Sequence, residues 1–307
     1  MNVWQPEPGE TLLARAPVTF ATGAAPLVRG MRWFRDTERN DIQHELQGWP
    51  EGPSFTPRST GNSMARRLLK GTAKVTGVTV MAALSAAGGN IAAPSSADSG
   101  SDTPDDPANE VDDFPVMWAA PGTIGRTLPW QLDPGRVNQK YWRTHLIVTD
   151  RRILFVELPY DGGNMEAIDD EVIWQTPRAD IRGVELKNFK DGNDFTINFS
   201  DGSWCRLSCR SRRQLTRYLM RAPVLLTVAD LNQRQRKAIL DYAEEIEMPG
   251  SVSPVITQNA CGHYNVDILL PGRLTSAFGA SEASLVLDEE GCDIDVSDYH
   301  PEDFGIG

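Results

Sequence analysis

Cysteine, histidine and clustered arginine are the residues of this chain whose types could do chemistry, and their spacing decides how far each reading goes. The cysteines are Cys205, Cys209, Cys261 and Cys292, and the histidines are His44, His145, His263 and His300. Cys205 and Cys209 stand at the end of an expected strand, and Cys261-Gly262-His263 forms a loose pair. No Cys-x-x-Cys or spaced histidine pair accompanies them, so the pattern favours ordinary free thiols over a zinc centre. They are too few and too scattered for a disulfide framework. Asp293, Asp295 and Asp298 lack the ligand spacing and terminal Glu of a calcium loop, and read as an acidic surface turn. There is no Gly-rich phosphate loop ending in Lys-Ser/Thr, no Gly-x-Ser-x-Gly elbow and no His-Glu-x-x-His. The expectation is a protein that is not an enzyme, with no catalytic residue, cofactor or metal.

Two basic patterns remain. Arg66, Arg67, Lys70 and Lys74 precede an uncharged run from Val75 to Ala97. At about 1.5 Å per helical residue that run is long enough to cross a bilayer. It is dominated by Ala, Gly, Ser and Thr, so its insertion energy is weak. An interfacial helix fits better, with the basic residues facing anionic headgroups, each worth about 1 kcal/mol, and Val, Leu and Met dipping in. The competing reading is an Ala/Gly-rich helix over about 63–91 that packs on its own domain or on a second copy of the chain through Gly71, Gly77 and Ala82. The second pattern is Arg210, Arg213, Arg217 and Arg221, which recur at helical spacing and form one stripe, with Arg206 and Arg212 nearby. Such a stripe suits an anionic lipid or an acidic peptide. It equally suits a solvated outer face, or a cover supplied by the chain's own acidic segment 98–113 or its acidic tail after Asp288.

Composition limits the partners. The net charge is −12 and the pI about 4.9, which argues against nucleic acid because a polyanion selects a basic footprint. Only six of the thirty basic residues are Lys, a bias that fits GC-rich bacterial coding. The N-terminal MNVWQPEPGE has neither a positive residue nor an apolar core, so it is no secretory signal, and a cytoplasmic location is the default. The partners to expect are an anionic membrane surface, at the inner face of the plasma membrane, or an acidic protein segment, with self-association as a further option.

The elements that must position these residues are mostly strands. Arg143–Leu158 (RTHLIVTDRRILFVEL) sets two β-rich runs, His145–Thr149 and Ile153–Leu158, about a polar Asp150-Arg151-Arg152 corner, the pattern of an antiparallel hairpin. Glu10–Phe20, Glu171–Gln175, Ile181–Phe189, Asp194–Phe199 and Ser203–Leu207 read as five more strands, the last two joined by Ser200-Asp201-Gly202, whose Gly supplies the required positive φ. Ser211–Met220 follows as a helix with Leu215, Leu219 and Met220 spaced to pack on a sheet.

The hairpin resembles the Leu-x-x-Thr-x-x-Arg-Leu strand pair of bacterial pleckstrin-homology-like (PH-like) and GRAM-type domains, and the Gly9-Glu10 lead into the first strand is similar too. The resemblance covers about 10–20 and 141–221. It implies a mainly β fold with α: a seven-stranded, bent antiparallel sheet capped by a C-terminal helix, used for docking rather than catalysis. It also implies that basic residues between strands one and two meet lipid, which is where Arg66–Lys74 falls. On this plan residues 1–22 supply the first strand and 23–140 a long insert, including the acidic, unburiable tract 95–113 as a disordered linker. Within the insert, Phe114–Gly135 is too rich in Pro for a helix, and its Trp118 and Trp130 would anchor an extended piece on a domain surface. Residues 141–222 complete the domain. Residues 223–307 form a small α/β extension: a helix over Val228–Met248 striped by Leu231, Ile239, Leu240, Ala243 and Ile246, then an acidic region with strands at Tyr264–Leu270 and Ser284–Leu287.

Overall fold

The computed structural model describes residues 4–21, 34–38, 40–46, 48–49, 115–133, 143–158, 170–187, 192–220, 224–246, 253–269 and 282–304. Their strands are β1 (Leu12–Pro17), β2 (Thr19–Phe20), β3 (Phe34–Arg35), β4 (Met117–Trp118), β5 (Arg143–Thr149), β6 (Arg152–Leu158), β7 (Glu171–Pro177), β8 (Ile181–Leu186), β9 (Asp194–Phe199), β10 (Trp204–Ser208), β11 (Leu225–Leu226), β12 (Val255–Gln258), β13 (Tyr264–Leu269) and β14 (Glu282–Leu287). Two α-helices accompany them, α1 (Arg212–Met220) and α2 (Gln233–Ile246). The protein is thus mainly β with α. The segments Arg66–Lys74, 75–97 and 95–113 lie outside the described residues.

The chain divides into two compact units. One comprises Met1–Pro17, His145–Arg178 and Arg210–Gly307, and the other Val18–Thr144 and Ala179–Cys209. In the first, an antiparallel sheet runs β1-β5-β6-β7. Its alternating apolar residues bury Leu12, Ile147, Leu154 and Val156 in one cluster with Leu269 of β13, flanked by Trp4 and Leu158. The β5–β6 corner is tied down by polar groups. Thr149 Oγ1 accepts from the Arg152 N–H at 2.9 Å, Asp150 Oδ1 accepts from the Thr11 N–H at 2.8 Å, and Arg151 Nη2 donates to the Gly9 carbonyl at 2.5 Å.

Two enclosed carboxylates of this unit are paired. Asp170, whose side chain is fully enclosed, takes a two-pronged contact from Arg15 at 2.7 and 2.8 Å and the Trp4 N–H at 2.7 Å. Glu10, also enclosed, meets Arg152 at 2.9 Å and accepts from the Thr149 hydroxyl at 2.7 Å.

The same unit carries a second sheet, β11-β12-β13-β14, antiparallel throughout. The acidic C-terminal region, expected to hold two strands, therefore holds three of the four. Leu231 and Ile239 of the α2 region pack with Ile256, Val266, Leu285 and Leu287. The helix starts later than its apolar spacing predicts: Thr227 and Asp230 close a reciprocal capping box around a short 3-10 turn. Asn232 then caps α2, its Oδ1 accepting from the Gln235 N–H at 2.9 Å while Gln235 Oε1 accepts from the Asn232 N–H at 3.0 Å. Leu240, expected in the packing stripe, is 53% exposed. It follows Ile239 directly, and one 100° step round the helix carries it off the buried side.

In the second unit the sheet runs β3-β4-β10-β9-β8, with β2 also on β10. The stretch expected as one strand, Glu10–Phe20, is divided: Pro17 closes β1, and β2 pairs its Phe20 with Leu207. Pro has no N–H to carry a ladder onward. Gly202 takes the expected positive φ of 86° in the β9–β10 turn. The region read as an insert contributes core as well. Phe34 and Trp49 close on Phe20, with ring centroids 4.6 to 5.9 Å apart, and β3 pairs with β4 in parallel. Trp118, expected as a surface anchor, lies within β4 and stacks on Trp204 at 6.3 Å and 3° between planes.

Candidate functional site

Of the residues singled out for anion docking, Arg66, Arg67, Lys70, Lys74 and Arg221 lie outside the described residues. Arg210 and Arg213 are exposed. Arg206 and Arg217 are turned inward. Arg206 sits on β10 with its side chain 3% exposed, 3.7 Å from the equally buried Asp194. Cys205, Arg206 and Leu207 are buried in succession, so both faces of β10 are covered here, and an acid meets the guanidinium.

Arg217 is turned in for a different reason. Helix α1 packs on β1 along one side and on the 3-10 turn Pro301–Phe304 along another. Leu215, Thr216, Tyr218 and Leu219 are consequently all buried. Arg217 reaches Asp267 of β13 at 3.3 Å and donates to the Asp303 carbonyl. Asp267 also accepts from the Tyr218 hydroxyl and, at 2.6 Å, from Ser284. The acidic tail thus does meet the expected stripe, at Arg217.

Cys205 and Cys209 are both buried, and burial pushes the Cys205 thiol far above its ordinary range. They act as small apolar core residues. Asp295 accepts from the Ser297 N–H at 2.9 Å and caps a 3-10 turn, as a surface acidic turn requires; these bonds hold its carboxyl below the ordinary range.

The residues that the structure does bring together are Cys261, His263, His300 and Asp303. The β12–β13 turn presents the first two. Asn259 donates its N–H to the His263 carbonyl at 2.8 Å, Gly262 donates to the Asn259 carbonyl at 3.0 Å, and Gly262 takes φ +94°, open to Gly and costly for most other residues. His300 arrives from the far end of the unit, just ahead of Pro301–Phe304.

Asp303 joins the two pieces. Its enclosed carboxylate accepts from Asn259 Nδ2 at 2.6 Å, from the His300 N–H at 2.8 Å and from the Cys261 thiol at 3.6 Å, and it holds His263 Nδ1 at 2.8 Å. Burial by itself would raise its pKa. The hydrogen bonds from His263, the His300 N–H and Asn259 outweigh that and hold it below the ordinary value.

The imidazoles of His263 and His300 lie with centroids 4.7 Å apart and planes at 34°. One ligand atom from each of Cys261, His263 and His300 falls within 4.8 Å of the others. The Cys261 thiol is pushed up by burial and by the nearby Asp303 and Glu302 charges. A nucleophilic cysteine needs the opposite, a depressed pKa in an electropositive setting. The setting therefore does not favour a covalent step at Cys261. Sequence reasoning found Cys261 and His263 but missed His300 and Asp303, for which no spacing rule gave a signal.

Among the described residues no helix is long and apolar enough to cross a membrane. Comparison with protein-family models, with curated proteins and with solved structures found no match for the chain.

Proposed function

We propose that the chain is a non-catalytic binding module on a PH-like scaffold that associates peripherally with an anionic membrane surface, at the inner face of the plasma membrane, through Arg66, Arg67, Lys70 and Lys74. The observation that supports this reading is the order of strand pairing. The first stretch gives β1 to a β1-β5-β6-β7 sheet and β2 to β10; β8, β9 and β10 form an antiparallel meander; and α1 follows β10 after a three-residue link. Antiparallel strands in this succession, closed by a helix, are what the resemblance at Arg143–Leu158 calls for. The basic cluster then falls in the connection between the first strand and β5, where lipid-binding PH-like domains carry their cationic residues.

The charge balance gives the reading its physical form. In a chain of net charge −12, attraction to a polyanionic surface has to come from a local cluster. The purified protein is expected to sediment with vesicles containing anionic lipid, less so as salt rises and screening shortens the reach of the charges. Changing Arg66, Arg67, Lys70 and Lys74 together to Gln is expected to abolish sedimentation. Equal binding to neutral vesicles, or binding untouched by the fourfold change, overturns the membrane reading and returns the segment to its alternative, a packing surface for a protein partner or a second copy.

A further inference from the structure

We propose that Cys261, His263 and His300 form a three-ligand site for a divalent transition metal of the zinc type, with Asp303 as the residue that orients His263 and a fourth position open to solvent. This is independent of the membrane reading, since none of these residues lies in the basic segment.

Donor chemistry comes first. One thiol and two imidazoles are the donor set that zinc prefers over magnesium or calcium, which take oxygen. Tetrahedral bonds of about 2.3 Å to sulfur and 2.0–2.1 Å to nitrogen place neighbouring donors roughly 3.3–3.6 Å apart. The observed limit of 4.8 Å lies about one ångström outside that closure. Small rotations of partly exposed side chains cover the difference, because Cys261 and His263 are half-buried and His300 is exposed.

Neither ring nitrogen of His300 has a hydrogen-bond partner among the described residues. His263 has one, Asp303 at Nδ1, which leaves Nε2 for coordination. A carboxylate behind a histidine fixes the tautomer and raises the basicity of the opposite nitrogen. Asp303 is well placed to do this, since Asn259 and the His300 N–H hold the carboxylate and burial keeps water from competing.

Charge favours the same outcome. Asp303, whose carboxylate lies 3.6 Å from the Cys261 sulfur, and Glu302 beside it are anions that attract a cation. On binding, Cys261 exchanges its S–H bond for a metal–sulfur bond and the proton passes to solvent, one per ion bound. The two donors of the β12–β13 turn and His300 from the far segment are then joined, so the ion fastens the turn Pro301–Phe304 over Arg217. With three protein donors and an exposed His300, the fourth position admits water or an external ligand.

The test is titration of the full-length, chelator-treated protein with Co(II) as a spectroscopic probe, followed by displacement with Zn(II). One ion per chain is expected, with a sulfur-to-cobalt charge-transfer band in the near ultraviolet and visible bands of tetrahedral intensity. Cys261→Ser should remove the near-ultraviolet band. His300→Ala, at an exposed position, should weaken binding about tenfold or more with the circular dichroism spectrum unchanged. Cys292→Ser, which alters the exposed thiol outside the cluster, should leave the titration as it was. No stoichiometric uptake at micromolar metal, or a band that survives Cys261→Ser, overturns the site.

Discussion

Glu10 illustrates what a single carboxylate does when its partners are fixed. Its enclosure would raise its pKa, but Arg152, the Glu7 N–H and the Thr149 hydroxyl more than offset this and hold the carboxyl below its ordinary value of 4.5. A carboxylate whose pKa is depressed by folding stabilises the native state fully above the unfolded value, and that contribution is lost as the pH falls through the folded one. At neutral pH, Glu10→Gln is expected to cost on the order of 1 kcal/mol. The gap in melting temperature between variant and wild type should narrow below about pH 4.5, where the unfolded chain begins to take up the proton, and close below the folded value. A gap that widens on acidification would contradict this. At this scale the sequence was partly legible. Cys261 and His263 are neighbours in the chain and were visible as a pair, whereas Asp303 stands forty residues beyond His263 and joins it only because the tail folds back. At Arg217 helical spacing marks a stripe but leaves open what covers it, and the folded-back tail is what does so.

Elements were more legible than the contacts between them. The hairpin at Asp150-Arg151, the Asp201-Gly202 turn and helix α1 all follow from local rules, because strand alternation and turn chemistry act over a few residues. The start of α2 was missed since two capping boxes in succession, Thr227/Asp230 and Asn232/Gln235, divide what reads as one helical pattern. The docking of α2 depends on a close approach. The Asn232 and Gln235 side-chain amides both donate to the Glu289 carbonyl at 3.0 Å, and Gly291, at φ +85°, has room for no Cβ, which would stand 2.6 Å from the Gln235 nitrogen. Gly291→Ala therefore meets backbone on one side and a left-handed conformation on the other, and is expected to cost about 2 kcal/mol in urea unfolding. Gly183→Ala, in β8, where an added Cβ meets nothing within 4 Å, should leave the midpoint nearly unchanged. Equal effects of the two would remove the argument from close approach.

At the scale of the whole molecule, neither unit is one continuous stretch, and the chain crosses between them four times. A boundary of that kind leaves no compositional mark, so composition and pattern alone do not reveal where the chain crosses. The first unit needs its C-terminal part: Leu269 completes the cluster on β1, β5 and β6, and α1 packs on β1. A chain ended after Cys209 is expected to expose Leu12, Ile147, Leu154 and Val156, to bind a hydrophobic dye strongly and to self-associate. Dye binding equal to that of the full chain would show that the sheet closes without its later partners.

The long return path of β1 also sets a clock. The Trp4 N–H finds its acceptor, Asp170, 166 residues later, and Arg217 finds the Asp303 carbonyl 86 residues later still in its own count. A ribosome adds about 5–20 residues per second, so the first strand emerges on the order of ten seconds before its partners and remains unpaired through that interval. Lengthening the connection costs little at equilibrium, roughly 0.6 kcal/mol per doubling, but every added residue prolongs the wait. For this half of the molecule, a slower or chaperone-poor host is expected to give a lower soluble yield of protein whose finished form melts at the same temperature.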